Sequence, residues 1–93
     1  MRSHKNTRRV CFRVRAPSDC AVYVAGTFNG WNSRHDRLWQ GPFNEGVHTA
    51  HLSLRPGRYE YKFVSGRDWY PDPENPDAVH DGHGSVNSVL EVL

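Results

Sequence analysis

The chain alternates hydrophobic and polar residues over several short segments, and a period of two is typical of β-strands with one buried face. Five segments show it: VCFRVR (10–15), AVYVAG (21–26), VHTAHLSL (47–54), RYEYKFV (58–64) and SVNSVLEVL (85–93). The residues expected on the buried faces are Val10, Phe12, Val14, Val22, Val24, Ala50, Leu52, Leu54, Tyr59, Tyr61, Phe63, Val86, Ser88, Leu90 and Val92. No window has the apolar stripe of a helix, and glycine and proline separate the segments. The pattern predicts an all-β fold, an antiparallel β-sandwich of about six to eight short strands.

Two stretches, 26–46 and 65–84, show no strand pattern and are expected to be irregular. Loops longer than about 12–15 residues are usually functional or disordered. These two hold all three tryptophans of the chain, which favours a functional interpretation. Trp39 is the exception, because it directly follows Leu38 and is expected to join the core.

Length and charge change this picture little. The 93 residues suffice for one domain, and a formal net charge of +2 indicates no particular partner. Residues 1–9, MRSHKNTRR, hold the basic excess and are expected to form a disordered tail before a single domain at 10–93. A nucleic-acid-binding arm is the alternative for this run. No apolar run reaches the roughly 18 residues of a membrane span, and no secretory signal is visible, so a cytoplasmic location is expected.

Candidate chemistry is sparse. Cys11 and Cys20 lack zinc-type or redox spacing, and free thiols in a reducing compartment are expected. HDGH (80–83) holds possible metal ligands, but no third spaced ligand group accompanies it. No acidic pair is positioned convincingly for glycoside hydrolysis, and no nucleophile elbow or phosphate-cradling loop is present. We therefore expect no catalysis, no cofactor and no bound metal.

Four residues outside the predicted core suggest a sugar site. Lys62 and Asn87 fall on the outer faces of their strands, Trp31 ends the segment GTFNGW, and Trp69 follows the turn SGRD. A pyranose ring has an apolar C–H face that stacks on an indole, and a hydroxyl rim that needs donors and acceptors. If the sheet brings these residues together, they form a surface suited to a sugar.

The segments GTFNGWN, PGRYEYKF, RDWYPDP and GSVNSVLEV, in this order, resemble the glycogen-binding domain of the AMP-activated protein kinase beta subunit. More broadly they are similar to carbohydrate-binding module family 48. The resemblance covers roughly residues 10–93. It implies an early-set, immunoglobulin-like β-sandwich that binds α-1,4-linked glucans.

The resemblance also implies a role for individual residues. Trp31 and Trp69 match the stacking tryptophans, and Lys62 matches the hydroxyl-binding lysine. Asn87 matches the sugar-binding asparagine, and Ser85 matches a small hydroxyl residue shortly before it.

His83 departs from the family pattern, which has a leucine there that pushes through the bent glucan. A histidine is expected to stack or to hydrogen-bond instead. The function that follows is a non-catalytic α-glucan-binding module. The alternative is a structural or protein-interaction domain beside a catalytic domain or a kinase-type partner, and neither nucleic acid nor membrane is an expected partner.

Overall fold

A computed structural model, which describes residues 6–93, confirms the all-β prediction. The strands are β1 (Arg8–Arg15), β2 (Val22–Gly26), β3 (Asp36–Gln40), β4 (Val47–Leu54), β5 (Gly57–Ser65), β6 (Asp68–Tyr70), β7 (Ala78–His80) and β8 (Val86–Val92). A 3-10 helix, Thr27–Asn29, follows β2. No helix in the described part of the chain is long and apolar enough to cross a bilayer.

The strands pair antiparallel in the order β1-β4-β3-β2-β5-β8-β7, and β6 pairs with β5. Strand β3 joins two halves of this sheet. Its first residues, Asp36–Leu38, pair with β2, and its last two, Trp39 and Gln40, pair with β4. The sheet therefore curls at β3, so that β1 and β4 cover β2, β5 and β8.

The core lies between these two layers and uses the faces that the period-two pattern predicts. Phe12 of β1 packs edge-on against Tyr61 of β5, with ring centroids 5.0 Å apart, and Phe63 packs against Tyr61 at 5.8 Å. The buried cluster contains Phe12, Val14, Val22, Val24, Leu38, Ala50, Leu54, Tyr61, Phe63 and Val92. Because β5 directs Tyr61 and Phe63 inward, its alternate residues must face outward.

Two expectations about the long stretches are wrong. They contain β3 (DRLWQ), β6 (DWY) and β7 (AVH), which escaped detection because none of these segments alternates clearly between apolar and polar residues. Trp39 is 61% exposed and does not join the core. Leu38 takes the inward position of β3, so its neighbour must point outward. The Arg37 guanidinium covers one face of the Trp39 ring at 3.9 Å from its centroid.

The N-terminal boundary also differs from the expected one. Arg8 and Arg9 belong to β1, opposite Leu54 and Ser53 of β4, rather than to a tail ending at residue 9. Residues 1–5 of the expected tail lie outside the described residues. Cys11 and Cys20 are not disulfide-bonded.

Candidate functional site

A shallow groove of about 480 Å³ lies over the outward faces of β5 and β8. Its lining residues are Thr27, Trp31, Glu60, Lys62, Trp69, Asp81, His83 and Asn87. The fold thus gathers five of the six residues singled out in the sequence. The sixth, Ser85, is not part of the lining, although its backbone contributes to the loop that forms one wall.

Trp31 reaches the groove from an unusual backbone position. Gly30 and Trp31, with φ angles of 65° and 59°, are both left-handed, and the Trp31 N–H donates to the Gly26 carbonyl oxygen at 2.9 Å. The left-handed conformation costs a non-glycine residue roughly 1–2 kcal/mol. Such conformations persist only where the surrounding structure enforces them, and they cluster at binding sites.

The side chain of Asn29 holds the turn that carries Trp31 in this conformation. Its Oδ1 accepts from the Gly26 N–H at 3.0 Å. Its Nδ2 donates to the Val24 carbonyl oxygen at 3.1 Å and to Asp36 Oδ2 at 2.8 Å. The turn that carries Trp31 is therefore fastened to both β2 and β3.

Gly26 lets this turn lie directly on β5. A Cβ at this position would stand 2.5 Å from the Glu60 carbonyl oxygen and 2.7 Å from the Phe28 ring. Since the φ of Gly26 is −165°, the requirement for glycine here is steric and not conformational.

Trp69 lies in β6, paired with Val64 of β5, and is 44% exposed. The chain after β6 is anchored by Asp72. Its Oδ2 accepts from the buried Tyr61 hydroxyl at 2.7 Å, and its N–H donates to Ser88 Oγ at 2.7 Å. Burial, together with the hydrogen bond to Asp72, raises the pKa of Tyr61 above its ordinary value. The core therefore fixes the strand that presents the indole.

Lys62 faces the groove, as its strand parity predicts, but it is not a free cation. Its Nζ donates to Asp81 Oδ2 at 2.8 Å, and each of the two side chains is only 11% exposed. Asp81 Oδ1 also accepts the backbone N–H groups of His83, at 2.7 Å, and of Ser85, at 3.1 Å. The hydrogen bond from Lys62, followed by these backbone donors, holds the pKa of Asp81 far below its usual range.

Asn87 is likewise engaged. Its Nδ2 donates to Glu60 Oε1 at 2.9 Å, while Glu60 Oε2 accepts from Arg58 Nη1 at 2.8 Å. The hydrogen bond from Asn87, and next the one from Arg58, lowers the pKa of Glu60. Both carboxyl groups of the groove are therefore ionised at neutral pH.

Sequence reasoning missed Thr27, Glu60 and Asp81. Glu60 had a usable signal, since it lies two residues before Lys62 on the same strand face. Asp81 was considered only as a metal ligand. Within the described residues, no group of three His, Cys, Asp or Glu residues is arranged to hold a metal ion.

Comparison with known proteins gives consistent matches. A family model described as the glycogen recognition site of AMP-activated protein kinase matches residues 13–93. Protein FLOURY ENDOSPERM 6, chloroplastic, of Oryza sativa subsp. japonica is 39% identical over 73 residues, which cover 76% of this chain and 12% of that protein. Protein PTST, chloroplastic, of Arabidopsis thaliana is 38% identical over 73 residues, which cover 77% of this chain and 25% of that protein.

The 5'-AMP-activated protein kinase subunit beta-1 of Rattus norvegicus is 34% identical over 71 residues, covering 76% of this chain and 24% of the subunit. This chain thus spans at most 25% of the length of these three relatives. The crystal structure of a maltogenic amylase from S. marinus matches with a TM-score of 0.69 at 23% identity, covering 91% of this chain and 13% of the amylase. At that identity, the match shows a shared fold.

Proposed function

The chain belongs to the family of the glycogen recognition site of AMP-activated protein kinase, and on that premise we propose that it binds α-1,4-linked glucans without catalysis. Its ligands are chains of the glycogen, starch or maltooligosaccharide type. The observation that carries the proposal is the convergence of two indoles, Trp31 and Trp69, on one groove with amide, ammonium and carboxylate groups.

In the proposed complex, Trp31 and Trp69 stack on the apolar faces of sugar rings. The ammonium of Lys62 has three N–H donors, and Asp81 occupies one of them, so the others can donate to sugar hydroxyls. The Asn87 carboxamide and the Glu60 carboxylate offer acceptors. His83 contributes an imidazole at the lip of the groove, and Ser85 acts through the loop rather than from the lining.

The state of the carboxyl groups supports a binding role over hydrolysis. Glycoside hydrolysis needs one protonated carboxylic acid to protonate the leaving oxygen. The pKa values of Glu60 and Asp81 are both lowered, so neither carboxyl group of the groove carries a proton near neutral pH.

Calorimetric titration with maltoheptaose, beside a β-linked glucan of equal length, tests the proposal. A shallow site predicts a Kd on the order of micromolar to millimolar, or roughly −8 to −4 kcal/mol. Trp31→Ala and Trp69→Ala should each weaken binding at least about tenfold, or 1.4 kcal/mol, through the loss of a stacking surface. Trp31→Ala retains the Cβ, so the backbone cost at this position stays the same.

Trp39→Ala is the matched control, because it removes an exposed indole that lies outside the groove. It should leave the affinity unchanged. Saturable binding that survives both Trp31→Ala and Trp69→Ala would put the glucan site elsewhere. Equal heats from the α-linked and β-linked ligands would contradict the α-glucan assignment.

A second candidate function is that of a protein-interaction domain, beside a catalytic domain or a kinase-type partner. Trp39 favours it, since an exposed indole capped by Arg37 combines two residue types enriched at interfaces. A folded sample that binds no glucan would favour this candidate.

A cytoplasmic location also belongs to the proposal, and the unbonded Cys11 and Cys20 are consistent with a reducing compartment.

A further inference from the structure

We propose that the groove selects uncharged glucan chains and rejects those that carry anionic groups on the bound rings, with Glu60 and Asp81 as the residues responsible. This inference rests on the proposed glucan binding and deepens it, because it names the chemical class of chain that fits. Neutral α-glucans would bind, whereas chains that carry phosphate esters or carboxylates would bind more weakly.

Glu60 places a fixed negative charge on the groove wall. Its Oε1 accepts from Asn87 Nδ2 at 2.9 Å and its Oε2 from Arg58 Nη1 at 2.8 Å, while its side chain stays 26% exposed. These two hydrogen bonds hold the carboxylate in place and favour its ionised form. A bound anion near Asn87 would face this charge at short range.

Asp81 forms an ion pair with Lys62, the one cation of the described lining that could bind an anionic ligand. Lys62 is the only lysine or arginine among the groove-lining residues that the structure describes. Its Nζ lies 2.8 Å from Asp81 Oδ2, and both side chains are 11% exposed. An anionic ligand would have to compete with Asp81 for Lys62, and this carboxylate is also held by the backbone N–H groups of His83 and Ser85.

The charges around the groove leave no surplus positive charge for an anion. Two carboxylates oppose one ammonium in the lining, and Arg58, outside the lining, is already bonded to Glu60. The lining also contains the imidazole of His83. A neutral glucan needs only hydroxyl partners, and ionised carboxylates are strong acceptors for hydroxyl donors. The same two groups therefore attract neutral chains and repel charged ones.

The test compares two ligands of equal length by calorimetry at low ionic strength. One is maltoheptaose, and the other is maltoheptaose with every C6 alcohol oxidised to a carboxylate. Wherever the oxidised chain lies along the groove, it then brings a negative charge to the bound rings. The wild-type protein should bind the oxidised chain at least about tenfold more weakly than the neutral one. Added salt should narrow this difference, because it screens the repulsion. A third ligand, phosphorylated maltoheptaose, should be disfavoured in the same way.

Glu60→Gln keeps an oxygen acceptor for Asn87 and removes the charge. It should strengthen binding of the oxidised chain relative to the neutral chain by about three- to tenfold, because it removes the repulsion. Binding of the neutral chain itself should weaken, because an amide oxygen is a poorer acceptor for a sugar hydroxyl than a carboxylate is. Asp81→Asn, which retains an acceptor for the loop N–H groups and releases Lys62, should act in the same direction. Glu45→Gln is the control, since it removes the same charge from an exposed loop residue outside the groove.

The outcomes separate the inference from the function on which it rests. Equal wild-type affinity for the neutral and oxidised chains overturns the selectivity while leaving glucan binding intact. If Glu60→Gln and Glu45→Gln increase the affinity for the oxidised chain equally, the assignment to Glu60 is overturned, because the change in net charge alone would then explain the increase. No binding of either chain by folded protein overturns the proposed function, and the inference with it.

Discussion

At the scale of single residues, the groove contains few free polar groups. Lys62, Asp81, Asn87 and Glu60 form two hydrogen-bonded pairs, and each pair contains one residue identified in the sequence and one that was missed. Side chains held in place before binding lose less conformational entropy when a ligand arrives. Weak individual contacts can therefore still select one geometry of a sugar chain.

The Lys62–Asp81 pair gives a prediction about pH. Because the pKa of Asp81 is lowered in the folded protein, its contribution to stability is fully present above the ordinary carboxyl pKa of about 4. That contribution is lost as the pH falls from there through the folded value. The free energy of unfolding should therefore differ between the wild type and Asp81→Asn by a constant amount above about pH 5, and this difference should shrink below about pH 4.

Urea unfolding of both proteins between pH 3 and pH 7 measures this difference. Glu60 also has a lowered pKa, but it is present in both proteins, so its effect cancels. A difference as large at pH 3 as at pH 7 would show that the Asp81 charge contributes nothing through this pair.

At the scale of elements, strand β5 connects the core to the groove. Its inward residues, Tyr61 and Phe63, pack in the core, and its outward residues, Glu60 and Lys62, line the groove. The 3-10 helix and the turn after it rest on this strand at Gly26 and carry Trp31 to the groove. The position of the ligand surface thus depends on how firmly one short turn is attached.

Asn29→Ala tests that attachment. The variant removes hydrogen bonds to Gly26, Val24 and Asp36, so the free energy of unfolding should fall by about 1–3 kcal/mol. Affinity for maltoheptaose should fall as well, since Trp31 would lose its fixed position. Chemical denaturation and calorimetry measure the two effects.

Asn44→Ala is the control, because Asn44 is an exposed loop residue outside the groove. It should change neither quantity measurably. If Asn29→Ala lowers stability but retains full affinity, then the turn does not need Asn29 to present Trp31.

At the scale of the whole molecule, the curl of the sheet at β3 builds the core by bringing β1 and β4 over β2, β5 and β8. Phe12 from one layer and Tyr61 from the other meet at its centre, with ring centroids 5.0 Å apart. The exposed Trp39 lies on the outer surface of this arrangement and adds little to it.

Two substitutions compare how much the core and the exposed Trp39 each contribute to the free energy of unfolding. Phe63→Ala, which empties a fully buried site, should lower the free energy of unfolding by about 3–5 kcal/mol. Trp39→Ala should cost less than about 1 kcal/mol, mostly the contact with Arg37. Denaturant titration of both variants provides the comparison, and a larger loss for Trp39→Ala would mean that the exposed indole is part of the packed structure.

The amino-acid sequence by itself determined the strand faces, because side-chain direction in a strand alternates with a period of two and needs no partner to be inferred. Through four ordered motifs that resemble a known family, it also identified five of the eight described residues that line the groove. It did not predict that Trp39 is exposed. That depends on β3, whose sequence DRLWQ does not alternate and whose inward position Leu38 takes.

Only the tertiary structure decided which groups pair in the groove. Lys62 and Asp81 are 19 residues apart, and Glu60 and Asn87 are 27 apart. Local patterns extend over a few residues, whereas these pairs exist only because β5, β8 and the loop before β8 are packed side by side. The charge balance of the groove, and with it the proposed preference for neutral glucans, is therefore a property of the fold.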